Sequence, residues 1–189
     1  MAERYSRMLD LGTTAPGFSL PDPDGQQHEL GAGAAAYLVM FICNHCPYVK
    51  HVREELARLG IDYLSRNTSI VAINSNDSTT HPGDSPEKMK EEAINWGYEF
   101  PYVVDADQSV ATSYLAACTP DFFLFDADKK LVYRGQLDAS RPANDIPVTG
   151  QDLRAALDAV LGGAAVPADQ IASIGCSIKW TPGNEPDYF

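Results

Sequence analysis

Two cysteines three residues apart, Cys43 and Cys46, separate an apolar run from a helical pattern, and that junction allows few architectures. Upstream, Tyr37-Leu38-Val39-Met40-Phe41-Ile42 is continuously apolar and rich in β-branched and aromatic residues, as in a strand covered on both faces of a parallel sheet. Downstream, Val49, Val52, Leu56, Leu59 and Tyr63 recur at spacings of three and four, with Lys50, Arg53, Glu54, Glu55 and Arg58 between them. Pro47 suits a first helical turn, where the N–H it lacks would have no partner in any case. Residues three apart on a helix share a face, so Cys43 and Cys46 can close a disulfide.

The N–H groups and dipole at a helix start favour an anion, here a thiolate. Cys43 precedes the helix and is expected to be the exposed sulfur that carries it. Cys46 is expected one turn inside, with His45 adding positive charge beside the pair. A lowered pKa gives a sulfur that attacks disulfides at neutral pH and also leaves readily. Two reduced core cysteines, or half of a zinc site, are the other readings of the same residues.

At 189 residues, 44% hydrophobic and 21% charged, the chain reads as one domain over 1–189, with a core at about 12–162 and an extension over 163–189. A net charge of -12 disfavours nucleic acid and anionic membrane as partners. The stretch from Met1 to Asp10 has no apolar signal-like region, which favours the cytoplasm, where a disulfide is transient and catalytic. Four cysteines are too few to staple a chain this long. Neither a cofactor nor a metal is expected.

Ala15 to Leu30 reads as a hairpin turning at Pro21-Asp22-Pro23-Asp24-Gly25. After the cysteine helix, Ser69-Ile70-Val71-Ala72-Ile73-Asn74 is a second buried strand, so a β-α-β unit with parallel strands is predicted. His81 falls in a loop and reads as solvated. Ser85 and Pro86 open a helix with Met89, Ala93 and Trp96 inward and Gly97 as its stop. Tyr102-Val103-Val104-Asp105 is a strand and Gln108 to Ala116 a short helix. Asp121 to Phe125 and Leu131 to Arg134 pair antiparallel, preceded by Cys118-Thr119-Pro120, where a cis bond would turn a backbone edge outward. Thr149 caps a last helix carrying Leu153, Ala156, Leu157, Val160 and Leu161. Ile171, Ile174, Ile178 and Trp180 make the remaining tail too apolar for disorder, and an extended path across the domain is expected.

This order, with Cys43-Asn44-His45-Cys46 and Thr119-Pro120-Asp121-Phe122-Phe123-Leu124-Phe125-Asp126 as its most specific parts, resembles the thioredoxin fold. More narrowly, it resembles the alkyl hydroperoxide reductase/thiol-specific antioxidant group, which holds peroxiredoxins and membrane-linked thiol reductases. The resemblance implies an α/β chain with a central mixed sheet, an N-terminal hairpin, and a cis Pro120 facing the redox pair. It also implies that the backbone of Thr119 receives the substrate chain. The chain departs from thioredoxins in having Ile42 where they carry tryptophan, and in offering no buried acid within the run from Tyr37. It departs from peroxiredoxins by placing Cys43 where they carry the activating threonine and Val39 where they carry proline, while Pro120 stands near their arginine position.

The expected function is therefore thiol–disulfide exchange on a protein or small-molecule disulfide, with a thiol as electron donor. In the expected order, Cys43 attacks, the mixed disulfide lies on the Thr119-Pro120 edge, and Cys46 resolves it. A peroxidase centred on Cys46 and a non-enzymatic zinc or redox-sensing module are the alternatives. Cys118 reads equally as a resolving thiol or a small buried hydrophobe. Cys176, behind the permissive Gly175, is expected to reach the redox face. A metal site of Cys43, Cys46, Cys118 and Cys176, with His45 or His51 as substitutes, is the weaker reading. Lys50 and His51 read as solvated, while Arg141 and Asn144 read equally as groove or loop residues.

Overall fold

The computed structural model describes residues 3–189. In chain order its elements are β1 (Glu3–Tyr5), β2 (Ser19–Pro21), β3 (Gln27–Glu29), β4 (Ala36–Phe41), α1 (Pro47–Tyr63) and β5 (Thr68–Asn74). A 3-10 turn at Pro82–Asp84 leads into α2 (Pro86–Trp96), followed by β6 (Tyr102–Val104), α3 (Ser109–Ser113) and β7 (Cys118–Thr119). The chain ends with β8 (Asp121–Phe125), β9 (Leu131–Gly135), α4 (Gln151–Leu161) and β10 (Ile174–Ser177).

The central sheet has five strands in the order β6-β5-β4-β8-β9. β4 pairs parallel with β5 and antiparallel with β8, so the sheet is mixed, as expected. All six residues of β4 are buried because both faces of the sheet are covered. Successive side chains alternate between faces. Leu38 and Met40 pack with Val49, Val52, Leu56 and Leu59 of α1, Met89 of α2, and Leu153 and Leu157 of α4. Tyr37, Val39 and Phe41 face the other way, among Val110, Tyr114, Phe123, Phe125, Ile178 and Trp180. Each fully buried aliphatic or aromatic side chain of this kind contributes roughly 1.5–3 kcal/mol.

β2 and β3 form the expected hairpin. In α2, Ser85 accepts from Lys88 N and Gly97 ends the helix at φ +68°, but only Met89 of the expected inner face is fully buried. Glu55, placed by periodicity on the solvent face of α1, is buried and paired with Arg154 Nε of α4 at 2.5 Å. The last helix starts one residue later than Thr149 would have set it. Asp138 Oδ2 takes the N–H groups of Thr149 and Gly150, both at 2.7 Å, and Gly150 becomes the N-cap at φ +66°.

The tail crosses the domain in extended form. β10 forms a second sheet with β1 and β7, ordered β1-β10-β7 and antiparallel throughout. Only Pro120 separates β7 from β8, and the two strands belong to different sheets. Lacking an N–H, proline ends one ladder where the chain crosses to the other. The Thr119-Pro120 bond is cis.

Asp121, the next residue, is wholly enclosed, and burial raises its carboxyl to about 7, with Ser6 and Ser173 relieving the penalty only in part. A raised carboxyl destabilises the fold as pH climbs from its unfolded value toward 7. Asp121→Asn should therefore melt above the parent at pH 8, with the margin shrinking toward pH 4. A melting-temperature series that gives the same margin at both ends would show that ionisation of Asp121 is not what matters.

Candidate active site

β4 and α1 carry the two motif cysteines at their junction. Pro47 is the first helical residue, so the helix begins after both cysteines, and Cys46 is its N-cap, with φ -65° and ψ 125°. The Cys46 carbonyl accepts the Lys50 N–H at 2.9 Å, the first bond of the helix. This corrects the expectation that Cys46 lies one turn inside. Cys43 is not exposed either: it is 1% accessible and Cys46 0%. The loop before α2 folds back over Cys43, and β10 lies over Cys46.

Thr119 touches both sulfurs, with its Oγ1 3.2 Å from Cys43 Sγ and its carbonyl oxygen 3.2 Å from Cys46 Sγ. Cys176, opposite Thr119 in the β7–β10 register, reaches Cys46 as well. The three sulfurs thus run Cys43, Cys46, Cys176, with Cys46 hydrogen-bonded on both sides. No disulfide joins the cysteines. The Cys43 thiol, followed by Cys176 and the Val49 N–H of the first helical turn, holds the Cys46 thiolate down to about 5 against the opposing effect of burial. Burial, and then the contact with Cys46, pushes Cys43 well above an ordinary thiol and Cys176 up to about 12. The helix start stands at Cys46 and not at Cys43, which favours the anion on Cys46, where the sequence pattern had pointed to Cys43.

Asp84 is the group that sequence reading missed. Its Oδ1 accepts the N–H of Asn44 at 2.8 Å and of His45 at 3.3 Å. Its Oδ2 meets His45 Nδ1 at 2.5 Å and Asn76 Nδ2 at 2.8 Å. Burial opposes the charge, yet the bonds from His45 and Asn76 outweigh it and keep Asp84 below the usual carboxylate range. Asn44 is equally tied, donating to Gly83 O at 3.0 Å and accepting from Tyr102 Oη at 3.0 Å. His81 is not simply solvated: its ring stacks on His45 with centroids 5.2 Å apart, and burial lowers its pKa. The only sequence hint of Asp84 was its place in a polar turn, Pro82-Gly83-Asp84-Ser85, which is too common to single it out.

Cys43 Sγ, a His45 ring nitrogen and an Asp84 oxygen lie within 4.8 Å of one another, the one such grouping of metal-ligand atoms among the described residues. It differs from the all-cysteine set considered from sequence. With four hydrogen bonds already on the Asp84 carboxylate, the cluster is built first as an anchor for the Cys43-Asn44-His45 turn.

Other residues fall at varying distances from the pair. Cys118 is buried, its thiol donating to Pro120 O at 3.7 Å, and burial followed by Asp121 raises its pKa well above the ordinary value. His51 is bonded to Ser140 Oγ at 2.7 Å and is not a free surface residue, whereas Lys50 is exposed. Arg141 and His51 line a hollow of about 20 Å³ beside Pro120, room for a single water. Asn144 instead caps its own loop, accepting from Arg141 N at 2.9 Å.

The fold and the paired sulfurs define a thioredoxin-like chain with a dithiol at a helix start. The chain belongs to the AhpC/TSA family, whose sequence model matches residues 11–134. It is 29% identical over 125 residues to the thiol-disulfide oxidoreductase ResA of Geobacillus thermodenitrificans, covering 64% of this chain and 66% of ResA, just under two thirds of that relative's length. A crystal structure of an uncharacterized conserved protein from Geobacillus kaustophilus is 56% identical, with TM-score 0.94 over 97% of this chain and 98% of that one. The thioredoxin domain of a thiol-disulfide oxidoreductase from Bacteroides vulgatus shares the fold at TM-score 0.56 and 20% identity, over 67% of this chain and 88% of that one. Among the described residues, no helix is long and apolar enough to cross a membrane.

Thiolate absorbance near the ultraviolet edge tests the electrostatics without requiring access to the sulfur. The difference between the parent and Cys46→Ser should rise through pH about 5 and be flat by neutrality. A midpoint close to that of an ordinary thiol would remove Cys46 as the resident thiolate.

Proposed function

We propose that this chain is a thiol–disulfide oxidoreductase in which Cys46 attacks and Cys43 resolves. The observation that carries the reading is Cys46 at the N-terminus of α1, hydrogen-bonded by a thiol on each side. A thiolate with a pKa of about 5 is formed at neutral pH and remains a good leaving group when the disulfide is later reduced. The ResA likeness supports the same class of reaction.

In the forward direction the Cys46 thiolate attacks one sulfur of a substrate disulfide. A Cys46–substrate bond forms, and the second substrate sulfur leaves as a thiolate. Cys43 then gives up its proton and attacks Cys46 Sγ, closing Cys43–Cys46 and expelling the first substrate sulfur. The two protein thiols have lost two electrons and the substrate has gained them. His45, held by Asp84 within 4.8 Å of Cys43 Sγ, is placed to take the Cys43 proton. Thr119 Oγ1 is placed to donate to Cys43 Sγ as its proton leaves, whereas the Thr119 carbonyl, an acceptor, bonds Cys46 only while that sulfur is protonated. An external thiol restores the dithiol.

A peroxidase centred on Cys46 is the second reading, favoured by the same thiolate. Against it, the neighbour that would orient a peroxide is a thiol, Cys43.

Cys46→Ser should abolish turnover of oxidised glutathione. In Cys43→Ser,Cys176→Ser, where both neighbouring thiols are gone, a glutathione adduct should persist on Cys46 and be found by peptide mass mapping. An adduct that forms on Cys43 in Cys46→Ser at the parent's rate would reverse the order of attack. Hydrogen peroxide should oxidise Cys46 no faster than it oxidises a fully ionised free thiolate; oxidation orders of magnitude faster would favour the peroxidase.

A further inference from the structure

β7 is a two-residue strand whose Thr119 lies against both motif sulfurs, and its backbone edge, if open, would be the natural landing place for an extended chain. That edge is already filled. β10 pairs with it antiparallel, Cys176 against Thr119 and Ser177 against Cys118. β1 closes the far side of β10, with Glu3 against Cys176 and Tyr5 against Ile174. The chain has laid one of its own strands where an incoming strand would lie, and that strand carries a cysteine at the position facing the redox pair.

The fit is close. A Cβ added at Gly175 would stand 1.9 Å from the Thr119 carbonyl oxygen and 2.6 Å from its carbon, so only glycine lets β10 approach this near. Ile178, just beyond the strand, is 1% accessible, and with Trp180 it is packed into the core on one face of the central sheet. This anchors the segment from its C-terminal side. Cys176 Sγ itself hydrogen-bonds Cys46.

We propose that β10 is a resident substrate strand: it occupies the peptide edge at Thr119, and Cys176 is a third redox thiol that resolves Cys46 in parallel with Cys43. The inference rests on the exchange reaction proposed above and extends it. Once Cys46 carries a mixed disulfide with a small thiol, Cys176 gives up its proton and attacks Cys46 Sγ. The Cys46–Cys176 bond forms, the bond to the small thiol breaks, and the small thiol leaves with the proton. Cys43 can then attack Cys46 in turn, moving the disulfide to Cys43–Cys46 and returning Cys176 to the thiol. Each transfer exchanges one disulfide for another, so no further oxidant is needed. Cys46 is covered while β10 is seated, so β10 must part locally from the sulfur before any disulfide reaches it; a small disulfide needs only that opening, whereas a polypeptide disulfide that docks by strand addition must displace the whole strand. The substrate class is therefore a small-molecule disulfide.

The test uses oxidised glutathione as the probe, with rapid alkylation and non-reducing peptide mapping. In Cys43→Ser the glutathione adduct on Cys46 should give way to a Cys46–Cys176 disulfide. A tethered thiol acts at an effective concentration of order mM or more, so the adduct should disappear at least about tenfold faster than in Cys43→Ser,Cys176→Ser. Gly175→Val placed in Cys43→Ser should restore the long-lived adduct by lifting the strand. In the otherwise unaltered chain, Gly175→Val should raise turnover of insulin disulfides relative to glutathione. An adduct that lives equally long with and without Cys176 would overturn the resolving role. An unchanged ratio of insulin to glutathione turnover would overturn the occupancy. If Cys46 is never modified in any variant, the exchange reading fails, and this inference with it.

Discussion

Cys46 sits where the first N–H groups of α1 have no carbonyl partners, and its sulfur occupies the positive end of the helix. That placement depends on the rest of the molecule. β4 ends at Phe41 and is held on both edges, by β5 and β8, so the short segment to Pro47 starts from a rigid point. Pro47 then begins the helix at once. Had the helix started earlier, Cys46 would be one residue among its buried face, without access to free N–H groups. Two neighbouring thiols complete the arrangement, since a thiolate buried from water needs donors in place of solvent.

Burial of this site is maintained by polar links as well as by packing. Asp84 takes four hydrogen bonds and, through Asn44 and His45, fastens the turn that presents Cys43. Hydrogen bonds to a charged acceptor contribute roughly 1.5–3 kcal/mol each, enough together to offset the cost of an enclosed carboxylate. Asp121 is the contrasting case, a carboxyl as deeply buried but poorly served, and its pKa moves up where that of Asp84 moves down. The same burial has opposite outcomes because the number and kind of donors differ.

The second sheet explains how a site built on a surface edge comes to be closed. β7 alone offers two residues, too few to form a sheet by itself. β10 and β1 extend it to three strands and cover Cys46 and Thr119. Segments from early and late in the sequence therefore meet over the redox pair.

Much of the fold was legible in the residues. The continuous apolar run of β4, the three-and-four spacing of α1, the hairpin, the antiparallel β8–β9 pair and the Thr119-Pro120 junction all carry local patterns, since strand and helix periodicity is imposed by backbone geometry at each residue. The approach of Gly175 and Cys176 was also readable, because a glycine beside a cysteine in an apolar tail marks a close backbone contact. β1 was not, for its three residues are exposed and have meaning only once β10 lies beside them. Sequence by itself determined that two cysteines would stand between a buried strand and a helix. Which of them sits on the helix terminus, which acid supports the turn between them, and which strand covers them were decided only by tertiary structure. Those outcomes depend on burial and hydrogen bonding between residues such as Asn44 and Asp84, or Thr119 and Cys176, that are distant in the chain.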